Sequence, residues 1–247
     1  MRNPVDHLIC FLLNKWSQYY IKSNPSLLHA IEAAEGKSSS TGIGLNSYAA
    51  LHMLIRKYRP KTVLECGTGK STFIIADALK LNDNNAILIS VEDKHDWYEK
   101  AFTAFPFQSY PNVSIIHKPI RIINIGMFRG YGYGDLPAHD YDLVVVDGPT
   151  IPPENDIIDG CNMQFIEIAS NSSIPVACIV DKRLTTVAMH NMIFGHKHNF
   201  SSSYFSLSVT RPVSKDNSLK YSKDRKIFRQ FNWDRPALFL INLYSKL

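Results

Sequence analysis

The stretch Thr62-Val63-Leu64-Glu65-Cys66-Gly67-Thr68-Gly69-Lys70-Ser71-Thr72 decides how this chain folds. A short apolar run ends in an acid. Two glycines follow at a spacing of two, and a helical pattern from Phe73 to Leu79 then begins. Glycine tolerates positive φ and has no side chain, so Gly67 and Gly69 permit a tight strand-to-helix turn that a ligand can approach closely. Such turns in α/β sheets sit at the carboxyl ends of strands, where ligands bind.

Related glycine turns serve different ligands. Gly69-Lys70-Ser71 matches the end of a phosphate-binding loop, but the first glycine of G-x-x-x-x-G-K-[ST] would fall on Leu64, inside the strand. The dinucleotide pattern G-x-G-x-x-G would need glycine where Thr72 stands. What remains is an acid, one residue, then G-x-G. Downstream, Ala86-Ile87-Leu88-Ile89-Ser90-Val91 reads as the next parallel strand and closes in Glu92. A carboxylate there can accept two hydrogen bonds from a ribose diol. That serves any nucleoside. Val113 to His117 is a further strand running into Lys118-Pro119. Tyr141-Asp142-Leu143-Val144-Val145-Val146-Asp147-Gly148-Pro149 describes a buried central strand whose end opens into the same crevice.

Taken in order, Leu64 to Thr72, Ser90-Val91-Glu92 with Trp97, His117-x-Pro119 and Val146-Asp147-Gly148-Pro149 resemble the class I S-adenosylmethionine-dependent methyltransferases. The branch is the one related to the caffeoyl-CoA and catechol O-methyltransferases. The resemblance covers residues 40 to 185, including Gly42 to Tyr48 and a helix over 49–57 that leads into the first strand. It implies a Rossmann-like methyltransferase fold: a doubly wound, mostly parallel seven-stranded sheet with an antiparallel last strand. It also implies S-adenosyl-L-methionine as cofactor, bound by Glu65, Gly67, Thr68, Gly69 and Ser71 at the methionine end. Glu92 would take the ribose, Asp93 would join it among the cofactor-binding residues, Trp97 would pack near the adenine, and Asp147 would stand near the methyl.

Candidate catalytic residues are Asp147 first, then Asp181 and His117. A hydroxyl acceptor needs a base, and an ordinary aspartate is a weak one unless burial or a second acid alters it. The metal-dependent relatives carry one Asp after the fourth strand and an Asp-Asn pair after the fifth. Asp147 and Asp181 match, but Lys182 stands in place of Asn, and an ammonium does not ligate a hard cation. Thr150 and Ile151 also stand where those relatives carry a lysine. The residues do not favour a divalent metal, and the expected metal ligands are none.

At 247 residues with 45% hydrophobic and 20% charged content, the chain suits one α/β domain with an appendage. The reading divides it into an N-terminal helical extension over 1–58 and a methyltransferase domain over 59–247, with a break at Lys37 to Gly42. Alternating strands and helices imply a parallel sheet covered on both faces. Residues 203–210 and 237–244 read as two closing strands. Arg129-Gly130-Tyr131-Gly132-Tyr133-Gly134-Asp135 reads as a connecting loop or a lid.

Cys10, Cys66, Cys161 and Cys178 show no paired spacing and read as reduced thiols of a cytoplasmic protein. The apolar run Leu8 to Leu13 is too short for a signal peptide, and no stretch reaches membrane-span length. Residues 182–247 hold 12 Lys+Arg against 3 Asp+Glu, and the excess clusters in Lys215 to Arg235 among aromatic residues. That stretch suits a solvated hairpin, an anionic small substrate or nucleic acid. The motifs of nucleic-acid methyltransferases are missing, so a small-molecule acceptor, methylated at oxygen, is expected. An RNA methyltransferase and a non-catalytic nucleotide-binding protein on the same fold stay as alternatives. The acceptor, and whether copies form a homo-oligomer, are left open.

Overall fold

The computed structural model describes residues 4–35, 44–126, 128–149, 161–181, 183–194, 199–202 and 206–215. Three helices, α1 (Pro4–Lys22), α2 (Pro25–Glu35) and α3 (Leu45–Tyr58), precede the first strand, β1 (Thr62–Cys66). The chain continues through α4 (Lys70–Asn82), β2 (Ile87–Glu92), α5 (His95–Ala104) and β3 (Val113–His117). A hairpin of β4 (Ile120–Ile125) and β5 (Phe128–Tyr133) follows. Then come β6 (Leu143–Val146), α6 (Gln164–Asn171), β7 (Val176–Asp181), α7 (Leu184–Phe194), β8 (Asn199–Ser202) and β9 (Leu207–Val213).

Among the described residues the main sheet has seven strands in the order β3-β2-β1-β6-β7-β9-β8. From β3 to β7 the pairing is parallel, and β9 runs antiparallel between β7 and β8. Side chains alternate across a strand. Val63, Leu88, Val145 and Ile179 therefore face α1 to α4, while Leu64, Val91, Val144, Val146 and Val180 face the hairpin, α6 and α7. Burial on both faces explains why these strands read as nearly continuous apolar runs.

Among the described residues the closing strands are β8 and β9; β9 overlaps the expected strand over 203–210 and extends beyond it, while residues 237–244 lie outside the described residues. The window 203–210 spans a break, because Ser206 sits in the left-handed region at φ +57° and extended pairing starts only at Leu207. The break at 37–42, Thr150, Ile151, Lys182 and the basic stretch beyond Lys215 also lie outside the described residues.

A correction concerns the glycine–tyrosine segment, which is neither loop nor lid. It is β5, paired antiparallel with β4 and buried except at Arg129. This hairpin stands where strand–helix alternation predicts a crossover helix between β3 and β6. Gly130 and Gly132 disfavour a helix, and they are needed in the strand. A Cβ on Gly130 would strike the Cys161 carbonyl oxygen, and one on Gly132 would lie 2.6 Å from Gln164 Oε1. The close approach lets Tyr131 exchange hydrogen bonds with Cys161 and Met163 at 2.8 and 2.7 Å.

The N-terminal helices are tied to the sheet domain by a buried polar hub. Asp77 of α4 meets His52 Nε2 of α3 at 3.1 Å, and Ser26 of α2 donates to the same oxygen at 3.2 Å. A carboxylate only accepts, so Nε2 carries the ring proton and Nδ1 accepts from the Tyr20 hydroxyl of α1 at 2.9 Å. Four helices thus share one satisfied network.

His190 of α7 is the opposite case. It is fully buried between Phe165 and Phe194, and among the described residues neither ring nitrogen has a hydrogen-bond partner. Burial alone pushes its pKa down to about 3. The unfolded chain therefore binds a proton on this ring below about pH 6.5 that the folded chain refuses. Stability is full above that pH and is lost as pH falls. Replacing His190 with Leu should remove about 2 kcal/mol of the stability lost between pH 7 and pH 5. Urea titrations of both proteins at the two pH values check this; parallel losses would show that the ring titrates normally.

Candidate active site

Glu65 stands one residue before the end of β1 with its side chain fully buried. Three hydroxyls donate to it, each at 2.6 Å: Ser71 to Oε1, and Thr72 and Ser90 to Oε2. Burial pushes its pKa up to about 7, while those three hydrogen bonds pull the other way. Each hydroxyl has one proton to give. Ser90 spends its proton on Glu65, so the Thr68 hydroxyl must donate to Ser90 at 2.8 Å. Thr72 Oγ1 in turn accepts the Gly69 amide at 3.0 Å. The network joins β1, the glycine turn, the start of α4 and β2. Glu65 and Ser71 therefore lie beneath the turn, bonded to each other.

The two glycines of the turn differ. Gly67 has φ +94°, and a Cβ there would sit 2.6 Å from the amide nitrogen of Gly148. A Cβ on Gly148 would equally sit 2.6 Å from Gly67 Cα and from the Tyr133 hydroxyl oxygen. The backbones after β1 and β6 thus cross with no room for a methyl group. Gly69 is extended, with φ −174°.

Glu92 closes β2 at 8% exposure. Its Oε2 accepts the Thr68 amide and its Oε1 the Lys94 amide, both at 3.1 Å. Burial raises its pKa against those bonds. Asp93 is half-buried and also raised, chiefly by burial. Trp97 flanks the turn from α5, in a small concavity with Thr68, Gly69 and Phe73. The structure thus gathers Glu65, Thr68, Gly69, Ser71, Glu92 and Trp97 around one turn.

Asp147 follows β6, and its amide donates to the Cys66 carbonyl at 2.8 Å. Val146 pairs with Val180, so Asp147 and Asp181 are the next neighbours on adjacent strands, about 5 Å apart at Cα. By parity with Val145 and Ile179 both point to the α3 face. His117 is elsewhere. It ends the edge strand β3, exposed, with Nε2 on the Asp93 carbonyl oxygen at 3.0 Å and its ring against His95. Three inter-strand steps separate β3 from β6, about 14 Å, so His117 and Asp147 do not meet at one atom.

Several residues that shape the site carried no recognised sequence signal. Ser90 interrupts an apolar run, and a hydroxyl in register with Glu65 was readable there. Tyr48 of α3 is buried; burial first, and then the charges of Asp147, Glu35 and Asp181, push its hydroxyl pKa well up. Arg183, two residues past Asp181, donates to the carbonyl oxygens of Asp147 and Pro149, the latter at 2.8 Å. Asn162 donates to the Gly148 carbonyl at 2.6 Å. Nothing local in the sequence announces these long-range contacts.

Two carboxylates with a guanidinium on the adjoining carbonyls make a poor cradle for a divalent cation, which needs several oxygen donors and little competing positive charge. Among the described residues no group of three or more His, Cys, Asp or Glu converges. Burial pushes the Cys66 thiol up to about 12, which leaves it no role as a nucleophile. Among the described residues no helix is long and apolar enough to cross a membrane.

Among the described residues the strand order, with an antiparallel strand second from the edge, defines a Rossmann-like α/β fold of the kind methyltransferases use. Several solved structures align with this chain. The O-methyltransferase TomG of Streptomyces achromogenes, involved in tomaymycin synthesis and crystallised with S-adenosylmethionine, aligns with a TM-score of 0.51 at 17% identity, over 81% of this chain and 96% of that one. An O-methyltransferase from Bacillus cereus, in complex with S-adenosylhomocysteine, gives 0.49 at 11% identity over 81% and 100%. A candidate caffeoyl-CoA O-methyltransferase from Staphylococcus aureus gives 0.49 at 14% over 82% and 99%. At such identities the likeness to TomG is one of fold. No protein-family model matches the sequence, and comparison with curated proteins yields no match.

The Gly67–Gly148 crossing yields a paired prediction. The Tyr133 hydroxyl is buried and, among the described residues, has no hydrogen-bond partner. Tyr133→Phe removes that unmet donor and should stabilise the protein by about 1 kcal/mol. Gly148→Ala forces a methyl into two contacts and should destabilise it by about 2 kcal/mol or more. Thermal unfolding of the two variants measures both, and equal shifts of one sign would contradict the contact geometry.

Proposed function

We propose that this protein is an S-adenosylmethionine-dependent methyltransferase that acts on a small molecule at oxygen. The observation that carries the proposal is the placement of Glu92. Its buried carboxylate is braced by two amides, beside a glycine turn and across from Asp147. Each Glu92 oxygen keeps a second lone pair, so the braced pair can accept both hydroxyls of a ribose. Thr68, Gly69 and the backbone after β1 would lie along the methionine part, with Glu65 and Ser71 fixing the turn from below. Trp97 and Asp93 flank the nucleoside end.

S-adenosylmethionine brings a methyl group on a positively charged sulfur, already activated toward displacement. What the chain supplies is alignment and a proton acceptor. Asp147 takes the acceptor hydroxyl's proton as the oxygen gains the methyl, with Asp181 beside it as a second acceptor on the same face. The bond lost is sulfur–methyl, and its electron pair stays on sulfur. His117, at the far edge, takes no part. The donor set argues against a metal-assisted step. We read the three N-terminal helices as an extension over 1–58 on a domain over 59–247, and the protein as cytoplasmic.

Calorimetric titration with S-adenosylhomocysteine tests the cofactor assignment, and no heat at millimolar ligand would sink it. Glu92→Ala should weaken that binding by about 1–3 kcal/mol, the cost of losing hydrogen bonds to a charged group. An unchanged affinity would assign the ribose elsewhere. A radiolabelled methyl group appearing in a metabolite extract separates an enzyme from a silent binding protein on the same fold.

A further inference from the structure

Strand ends are where sheet hydrogen bonding stops, so carbonyls just beyond them need other partners. Beyond β6 the side chains of two distant residues accept that task. Arg183 spans Asp147 and Pro149 with its two terminal nitrogens, and Asn162 holds Gly148 between them at 2.6 Å. Every carbonyl of Asp147-Gly148-Pro149 is thereby held by a side chain.

The braces are themselves fixed. Asn162 is 3% exposed, and its Oδ1 accepts the Gln164 amide at 2.8 Å, so its amide group is held at both ends. Its backbone amide donates to Thr186 Oγ1 at 3.0 Å, in the first turn of α7. Arg183 immediately precedes that turn, and its carbonyl accepts the Val187 amide at 3.0 Å. Both braces therefore stand on one platform. On the opposite side the turn is pressed against Gly67 and tied to the Cys66 carbonyl.

We propose that Asn162 and Arg183 are positioning residues for Asp147, fixing where its carboxylate stands in the crevice by holding the backbone behind it. This rests on the methyltransferase reading. A carboxylate held near the sulfur should favour a cationic sulfonium over a neutral thioether, and small displacements weaken that preference because Coulomb energy depends on distance. A merely structural role would lower stability and weaken both ligands alike.

The test is the ratio of dissociation constants for S-adenosylhomocysteine and S-adenosylmethionine, measured by calorimetry on the full chain beside thermal unfolding. Asp147→Asn sets the scale and should cost the sulfonium preference about tenfold. Arg183→Lys keeps the charge but cannot fork to two carbonyls. Asn162→Leu removes the donor without adding charge. Both should lose a large part of the same preference, about threefold or more, while S-adenosylhomocysteine still binds. If either variant fails to fold, the other carries the measurement.

Unchanged ratios in folded Arg183→Lys or Asn162→Leu overturn the proposal, as does an unchanged ratio in Asp147→Asn. Failure of the unaltered protein to bind either ligand removes the methyltransferase reading itself, which is a different outcome.

Discussion

The buried carboxylate of Glu65 is the interaction on which the rest of the site depends. Left alone in the interior, an ionised carboxyl would be very unfavourable, and burial does push its pKa up to about 7. Three hydroxyls, two from the first turn of α4 and one from β2, offset this. Because each hydroxyl has one proton to give, their directions are set, and so is that of Thr68 against Ser90. Neutralising or shortening Glu65 would release the turn, the first residues of α4 and the side chain of β2 together. A charge placed where it is costly is what makes the neighbouring geometry unique.

The glycine turn then couples two strands. Gly67 is glycine because its φ is +94° and because the backbone of Gly148 occupies the space a side chain would need. That contact serves the protein's own packing as much as any ligand. It brings the turn after β6 against the turn after β1, so Asp147 is placed by the same steric constraint that shapes the glycine turn. The hairpin adds a third wall. Its glycines allow it to press on the segment before α6, which carries Asn162, and its last tyrosine reaches Gly148. One glycine contact thus registers elements far apart in sequence.

Local patterns carried the fold because each central parallel strand is a short apolar run with a carboxylate at or next to its end, and helices between them show their own period. Glu65, Glu92, Asp147 and Asp181 were legible for that reason: each stands at or within one residue of the end of its strand. Other features were not. The hairpin read as a loop because alternating glycine and tyrosine lacks the aliphatic signature of a strand. The start of the expected strand over 203–210 is shifted because a single left-handed residue, Ser206, precedes the point where β9 begins to pair.

The sequence by itself determined which residues end which strands, and hence which carboxylates face the crevice, because side-chain alternation and strand termination are local properties. Only the tertiary structure decided that Asp147 and Asp181 are neighbours while His117 is three strands away, since strand order is set by how the layers pack. It alone also decided that Arg183 and Asn162 hold the turn behind Asp147. Hydrogen bonds across 14 to 36 residues exist only once the sheet has brought their partners together, and no period in the chain encodes them.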